Sequence, residues 1–266
     1  MIDNHYYPQN FLHWGIKPTL FYIGDFGILS YSFFVLLGLL VGILIYFHES
    51  KRQKSLDEKG IFIAIGALAG GALGAKILQW IIHYKYIFSH ISNLDVFLSG
   101  RTIVGGLIGG TIGSILTKKA LKIKEKRGNL FAPAAAMGIA IGRLGCFFRG
   151  CCYGKETFLP WGVNFGDGVL RHPTQIYESL FMLIMFLYLE KIKNKKDVKP
   201  GQLFKLLLIS YFIFRFFEEF IKVEPVVFSG LTVFQIISIG AIIYLTRDNI
   251  INLIFKLKKY GKQQQE

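Results

Sequence analysis

Cysteine, proline and acidic side chains are all scarce in this 266-residue chain. It holds three Cys, seven Pro and 17 Asp+Glu, against 31 Lys+Arg. The cysteines fall at 146, 151 and 152, which excludes the disulfide framework of a small secreted domain. The first ten residues, MIDNHYYPQN, lack a basic stretch running directly into a short apolar one, so a cleaved signal peptide is not expected. Long polar stretches are rare too. Hydrophobic residues make up 52% of the chain, Phe alone numbers 25, and the mean hydropathy is +0.43. The apolar residues come in blocks of about twenty, the length that crosses a bilayer's hydrocarbon core. A net charge of +14 would suggest nucleic acid in a soluble domain. Here the basic residues collect between apolar blocks, so nucleic acid is set aside and the charge is read as topology.

Seven blocks stand out, at 26–47, 60–84, 102–117, 130–148, 176–190, 202–221 and 231–246. The third and fifth are short, so six or eight spans are the alternatives. Lys and Arg between blocks alternate: four in 48–59, six in 118–129, five in 191–201 and five in 247–266, against one in 1–25, two in 85–101, three in 149–175 and one in 222–230. Basic loops stay in the cytoplasm. The expected fold is therefore an all-α polytopic membrane protein with about seven transmembrane helices, N-terminus outside and C-terminus cytoplasmic. One membrane domain covers 1–266, with an external N-terminal segment at 1–25, an external loop or arm at 149–175 and a basic cytoplasmic tail at 247–266.

Glycines recur every fourth residue at 66, 70 and 74 and again at 105, 109 and 113, with Gly138 and Gly142 in the fourth block. This spacing lets helix backbones approach closely in lipid. A phosphate-cradling loop at Gly105-Gly106 is the weaker reading, since no Gly-Lys-Ser/Thr follows and no strand precedes.

Four basic residues lie outside the loops: Lys76, Arg143, Lys205 and Arg215. Lys205 is near a cytoplasmic end and can snorkel. At about 1.5 Å per residue, Lys76 lies roughly 24 Å from the inner edge, and Arg143 and Arg215 roughly 20 Å. The fifth block runs the other way and begins with His172, Gln175, Tyr177 and Glu178, in the same outer half. Each such charge costs at least about 2.5–3.5 kcal/mol and points to function. Structural pairing is the alternative: Arg143 with Glu178, and Arg215 with Glu218 or Glu219. Tyr211, Arg215, Glu218 and Lys222 fall on one helical stripe. Arginine's planar fork suits a phosphate, so the expected ligand is an anionic lipid head group.

The motifs GGALGAK (70–76), GRLGCFFRGCCYG (142–154), PWGVNF (160–165), RHPTQIYE (171–178) and YFIFRFFEEF (211–220) occur in that order. Together they resemble the prolipoprotein diacylglyceryl transferase family of bacterial inner-membrane enzymes, over about residues 26–246. The resemblance implies seven helices and a site open to the outer leaflet. It implies transfer of the diacylglyceryl group of phosphatidylglycerol to the lipobox cysteine thiol in the signal-peptide region of a prolipoprotein, releasing glycerol phosphate, with no cofactor. By the same resemblance Arg143, Arg215, Tyr211 and His172 are the catalytic candidates. Arg143, Arg215, Lys76, Arg149, Gln175, Glu178, Gly105, Gly106, Gly145 and Gly154 are the candidates for holding lipid, and Gly142 is a further signature glycine.

The chain departs from the family's usual signature, GRxGNFxNxExxG. Cys146 and Arg149 stand at the two Asn and Cys151 at the Glu, Lys76 stands at an Arg, and Val104 replaces a His that is a candidate thiol base. His172 is then the histidine left outside, with an unperturbed pKa of about 6.5 suited to a base. Cys146, Cys151 and Cys152 read as packed small hydrophobes, as a redox pair, or as a nucleophilic thiolate favoured by Arg143 and Arg149. Metal is the weakest reading, because C-x4-CC matches no standard zinc spacing and needs a fourth ligand such as His172. Two other functions stay open: a non-catalytic binder or transporter of anionic lipid, and a thiol-redox membrane protein.

Overall fold

The computed structural model describes residues 16–53, 55, 57–90 and 100–247. Most of the expected N-terminal segment and nearly all of the expected basic tail lie outside the described residues. The described chain opens with a hairpin, β1 (Thr19–Ile23) against β2 (Phe26–Leu29), turning at Gly24. The first apolar block thus begins extended, and its helix starts only at Ser30. The Ser30 amide bonds the Pro18 carbonyl at 2.8 Å and its hydroxyl bonds the Lys17 carbonyl, which closes the hairpin onto the helix.

Among the described residues seven longer helices overlap the seven apolar blocks: α1 (Ser30–Arg52), α2 (Glu58–Ile82), α4 (Ile103–Ala120), α5 (Gly128–Arg149), α6 (Thr174–Ile192), α7 (Gln202–Glu218) and α8 (Val233–Arg247). A short α3 (Tyr84–Ser89) follows α2. Among the described residues, α1, α2 and α5 are long and apolar enough to cross a membrane, and α8 is a shorter apolar helix. Two small hairpins lie between helices: β3 (Val163–Asn164) with β4 (Leu170–Arg171), and β5 (Val226–Phe228) with β6 (Leu231–Thr232).

Caps mark where the helices begin. Asp57 accepts the Gly60 amide at 2.8 Å to start α2, and Thr102 accepts the Gly105 amide at 3.2 Å to start α4. Asp57 also holds Arg127 at 2.6 Å, and that guanidinium keeps its carboxyl below the ordinary range. Near the other end of α1, buried Glu49 pairs with Lys193 at 2.7 Å, tying α1 to the end of α6.

Helix α5 is central. Buried residues form 56% of its apolar stretch, against 17% in α1 and 6% in α2. It packs on α1, α6 and α7, while α2 packs on α4. The core joins Ala132, Ala136 and Ala140 of α5 to Met182 and Leu189 of α6 and Leu207 of α7. Outward faces stay apolar: Leu36 and Leu40 of α1, Leu73 of α2 and Ile184 of α6 are exposed. Exposed leucine on closed helices suits lipid as the surrounding solvent.

The α2–α4 contact is glycine on backbone. A Cβ on Gly74 would stand 2.7 Å from the Gly109 Cα, and one on Gly70 would stand 2.9 Å from the Gly113 Cα. Real Cβ contacts are never this short, so these positions admit hydrogen alone.

Candidate functional site

Four helices and one strand meet around buried charge. Arg143 comes from α5, Glu178 from α6, and Tyr211, Arg215 and Glu218 from α7, with Phe234 of α8 and Thr232 of β6 beside them. Arg143, Glu178, Arg215 and Glu218 are each at most 6% exposed. Glu178 is the hub. It pairs with Arg143, lies 3.9 Å from Arg215 and accepts the Tyr211 hydroxyl at 2.9 Å. Arg215 bonds Glu218 at 2.9 Å, pairs with Glu219 and sits over the Phe234 ring at 4.6 Å. Thr232 donates its hydroxyl to Glu219 at 2.7 Å. Buried Lys222 stands 3.9 Å from Glu218 and bonds the Cys152 carbonyl at 3.4 Å.

Three cations thus face three carboxylates, and all the expected structural pairs exist. Pairing still does not use the guanidiniums fully. The Nε of Arg143 and the Nε of Arg215 are buried without a hydrogen-bond partner, as is Oε1 of Glu218. Buried polar groups are nearly always satisfied, so each such orphan asks for a ligand or a water. The stripe expected on α7 is only partly regular. The helix ends at Glu218, so Lys222 lies beyond it, and Tyr211 bonds Glu178 while staying within electrostatic reach of Arg215.

The cysteines sit against this cluster. Arg143 Nη1 is 3.8 Å from Cys146 Sγ, and Cys151 Sγ is 3.6 Å from the Cys146 carbonyl. Helix α5 ends at Gly150, left-handed at φ 76°, and Cys152 is left-handed too at φ 63°. The two bends fold the chain back on itself, and the three sulfurs lie within 4.8 Å of one another. Gln175, fully buried, donates its amide to the Cys151 carbonyl, and Thr174 donates its hydroxyl to the Cys152 carbonyl at 2.7 Å.

Other predicted residues fall nearby or elsewhere. His172 lies at the rim, its Nδ1 3.2 Å from the Tyr177 hydroxyl, which also accepts from Trp161 at 2.8 Å. Gly154 lets this loop approach closely: a Cβ there would lie 2.6 Å from the Ile221 carbonyl and 2.8 Å from the His172 Cβ. Gly145 abuts α1, where a Cβ would stand 2.9 Å from the Phe34 Cβ. Gly105 is occupied in packing against Gly74 of α2, whereas the nearest atom to a Cβ on Gly106 is 3.7 Å away. A Cβ on Gly142 would meet open space. Lys76 bonds the Gly100 carbonyl at 3.4 Å, lies 5.9 Å from the centre of the Trp80 ring, and feels the charge of Arg101. Arg149 sits 5.4 Å over Tyr31, which also interacts with Arg101 and with Cys146 and Cys152. These cations therefore form two groups, Arg143–Arg215–Lys222 and Lys76–Arg101–Arg149, and in the second Tyr31 meets both Arg101 and Arg149.

Sequence reasoning missed Tyr31, because a tyrosine at the start of a span reads as an interfacial anchor. It also missed Thr232, whose role depends on the short β5–β6 hairpin, Val226–Thr232. Val104, at the position of the missing histidine, is 1% exposed and belongs to the apolar core.

Known proteins resemble this chain along most of its length. The family model for prolipoprotein diacylglyceryl transferase matches residues 18–246. A phosphatidylglycerol–prolipoprotein diacylglyceryl transferase of Clostridium tetani is 34% identical over 217 residues, covering 79% of this chain and 87% of the relative. That of Finegoldia magna is 34% identical over 227 residues, covering 84% and 90%. That of Clostridioides difficile is 32% identical over 235 residues, covering 85% and 94%. A match spanning the buried arginines, the cysteine turn and every described helix leaves one assignment: the chain belongs to the prolipoprotein diacylglyceryl transferase family.

Proposed function

We propose that this chain transfers the diacylglyceryl group of phosphatidylglycerol to the lipobox cysteine of a prolipoprotein. It does so in a bacterial inner membrane, as seven spans with the N-terminus outside, the C-terminus in the cytoplasm and the site open to the outer leaflet. The alternation of basic loops supports this orientation. The observation that carries the reading is the pair of buried guanidiniums, each anchored by carboxylates and each with an unused Nε donor.

The lipid phosphate takes those donors. The substrate thiol gives its proton to His172, whose ring Tyr177 orients. The sulfur attacks the glyceryl carbon bonded to the phosphate oxygen. A carbon–sulfur bond forms, the carbon–oxygen bond breaks, and glycerol phosphate leaves with the electron pair. Charge grows on the leaving oxygen, where fixed cationic donors help most. Tyr211 holds Glu178 so that Arg143 and Arg215 keep their orientation. Gln175 and Gly154 shape the turn beside them, and Lys76 and Arg149 attract the anionic head group. The external segments 1–25 and 149–175 face the incoming signal peptide.

The test is transfer of label from phosphatidylglycerol to a lipobox peptide in membranes containing the protein. Arg143→Ala and Arg215→Ala are expected to abolish transfer while the folded protein still elutes as a single species in detergent. Arg143→Lys keeps the charge but loses the fork, and is expected to retain only a small fraction. Full activity in both alanine variants overturns the site.

A further inference from the structure

The spacing of Cys146, Cys151 and Cys152 argues against a metal, yet the fold brings their sulfurs together. We propose that these three thiolates hold one zinc ion with its fourth position open to the substrate thiol. The inference deepens the transferase reading and rests on it for the role of the ion, though not for the ion's binding.

Four observations carry it. First, zinc–thiolate bonds of about 2.3 Å put tetrahedral sulfurs roughly 3.8 Å apart. Three sulfurs already within 4.8 Å of one another need only a small closure to reach that geometry. Second, the convergence is built at a cost. Cys152 is one of few non-glycine residues among those described with a left-handed backbone, and such outliers gather at functional sites. Third, the surroundings support ligands rather than plain packing. Gln175 is fully buried, bonds the Cys151 carbonyl, and leaves its Oε1 without a partner beside the cluster. Arg143 faces Cys146 Sγ at 3.8 Å. Three thiolates around a divalent ion leave one negative charge, which that guanidinium offsets, as outer partners commonly do at metal sites. Fourth, Thr174 donates its hydroxyl to the Cys152 carbonyl at 2.7 Å, so α6 fixes the cysteine turn at this point too.

Three protein ligands and one open position define a working zinc site rather than a closed structural one. A thiol that coordinates such an ion is deprotonated outright. The incoming lipobox thiol takes the fourth position and gives its proton to His172. Its electron pair then forms the carbon–sulfur bond as glycerol phosphate departs. Cys146 and Cys151 are buried and Cys152 is exposed, so the open side faces outward along Cys152.

The experiment uses full-length protein in detergent, reduced and freed of metal, then loaded with zinc or with cobalt as a coloured stand-in. One zinc equivalent is expected to bind and to raise the Tm. A Cys152→Ser variant, substituted at the exposed ligand so that folding is spared, is expected to lose that Tm rise. Cobalt is expected to give a sulfur-to-cobalt charge-transfer band that grows on adding a lipobox peptide and does not grow with its Cys→Ser version. These readouts need no turnover, so they stand apart from failure of the transferase reading. Loss of label transfer on chelation and its return with zinc are expected in addition. Absence of a bound equivalent, equal binding by Cys152→Ser, two of the three thiols lost to a disulfide in the native protein, copper(I) bound in place of zinc, or full transfer by metal-free protein each overturns the proposal.

Discussion

Between α2 and α4 the contact is backbone on backbone, with glycine at 70 and 74 facing glycine at 109 and 113. Between α5, α6 and α7 the contact is charge on charge, with Glu178 shared by Arg143 and Arg215 under the Tyr211 hydroxyl. Lipid tails are as apolar as leucine, so burying apolar surface draws helices together only weakly inside a membrane. The two regions answer that problem in different ways. The glycine face gains dispersion contact by removing side chains, and needs no polar atom. The charged group gains attraction in a low-dielectric setting, but each member is costly if its partner goes. The first is tolerant of chemistry and intolerant of size, and the second is the reverse.

The largest expected effect tests the charged side. Glu178→Ala leaves two buried guanidiniums without their shared partner. Breaking such a pair costs about 3–5 kcal/mol, so detergent-solubilised protein is expected to unfold at markedly lower denaturant and label transfer to disappear. A variant as stable as the parent would mean that water already shields the cluster. Next comes the glycine side. Gly109→Leu places a Cβ 2.8 Å from the Gly74 Cα, and overpacking of this kind costs roughly 1–3 kcal/mol. Gly106→Leu, where the nearest atom is 3.7 Å away, is the size control and is expected to fall well below it in the same melt. Equal losses would remove the distinction between a packed and an open glycine face.

The smallest expected effect lies at the start of α2, where charge acts near water. Asp57→Ala removes the α2 cap and costs about 1 kcal/mol, read as faster hydrogen exchange at the Gly60 amide. Arg127 holds the Asp57 carboxyl below its ordinary value. Its contribution is therefore present above the unfolded value of about 4 and is lost only as pH falls through the lower folded one. A Gly60 protection factor, the intrinsic exchange rate at each pH divided by the observed one, that is flat from neutral pH down to about 4 and falls below it supports this order of values.

Much of this contrast was readable from residue spacing. Glycines every fourth residue marked the α2 and α4 faces, because a helix returns to the same side in nearly that interval. Arg143, Arg215 and Glu178 stood out because charge inside an apolar block is expensive whatever the fold. Less was readable wherever the chain leaves a helix. The three cysteines span the end of α5, and no periodicity predicts the two left-handed residues that bring their sulfurs together. The second strand of the hairpin before α1, Phe26–Leu29, is apolar, so it merged with the span that follows. Thr232 meets Glu219 only because β5 and β6 turn the chain back. Lys76 was expected at nearly the depth of Arg143, yet depth says nothing of bearing around the bundle, and Arg149 stood out only as an added cation. Lys76 meets the Trp80 ring and the Gly100 carbonyl, and Arg149 lies over Tyr31.

The glycine face also has a mechanical meaning. Sliding α4 along α2 by one residue, about 1.5 Å, would drive each glycine onto its neighbour's carbonyl ridge instead of its own notch. The two helices therefore act as one toothed bar. Lys76 near the C-terminal end of one and Arg101 just before the other keep a constant spacing, and any passage that widens for a two-tailed lipid must open along a seam outside this pair.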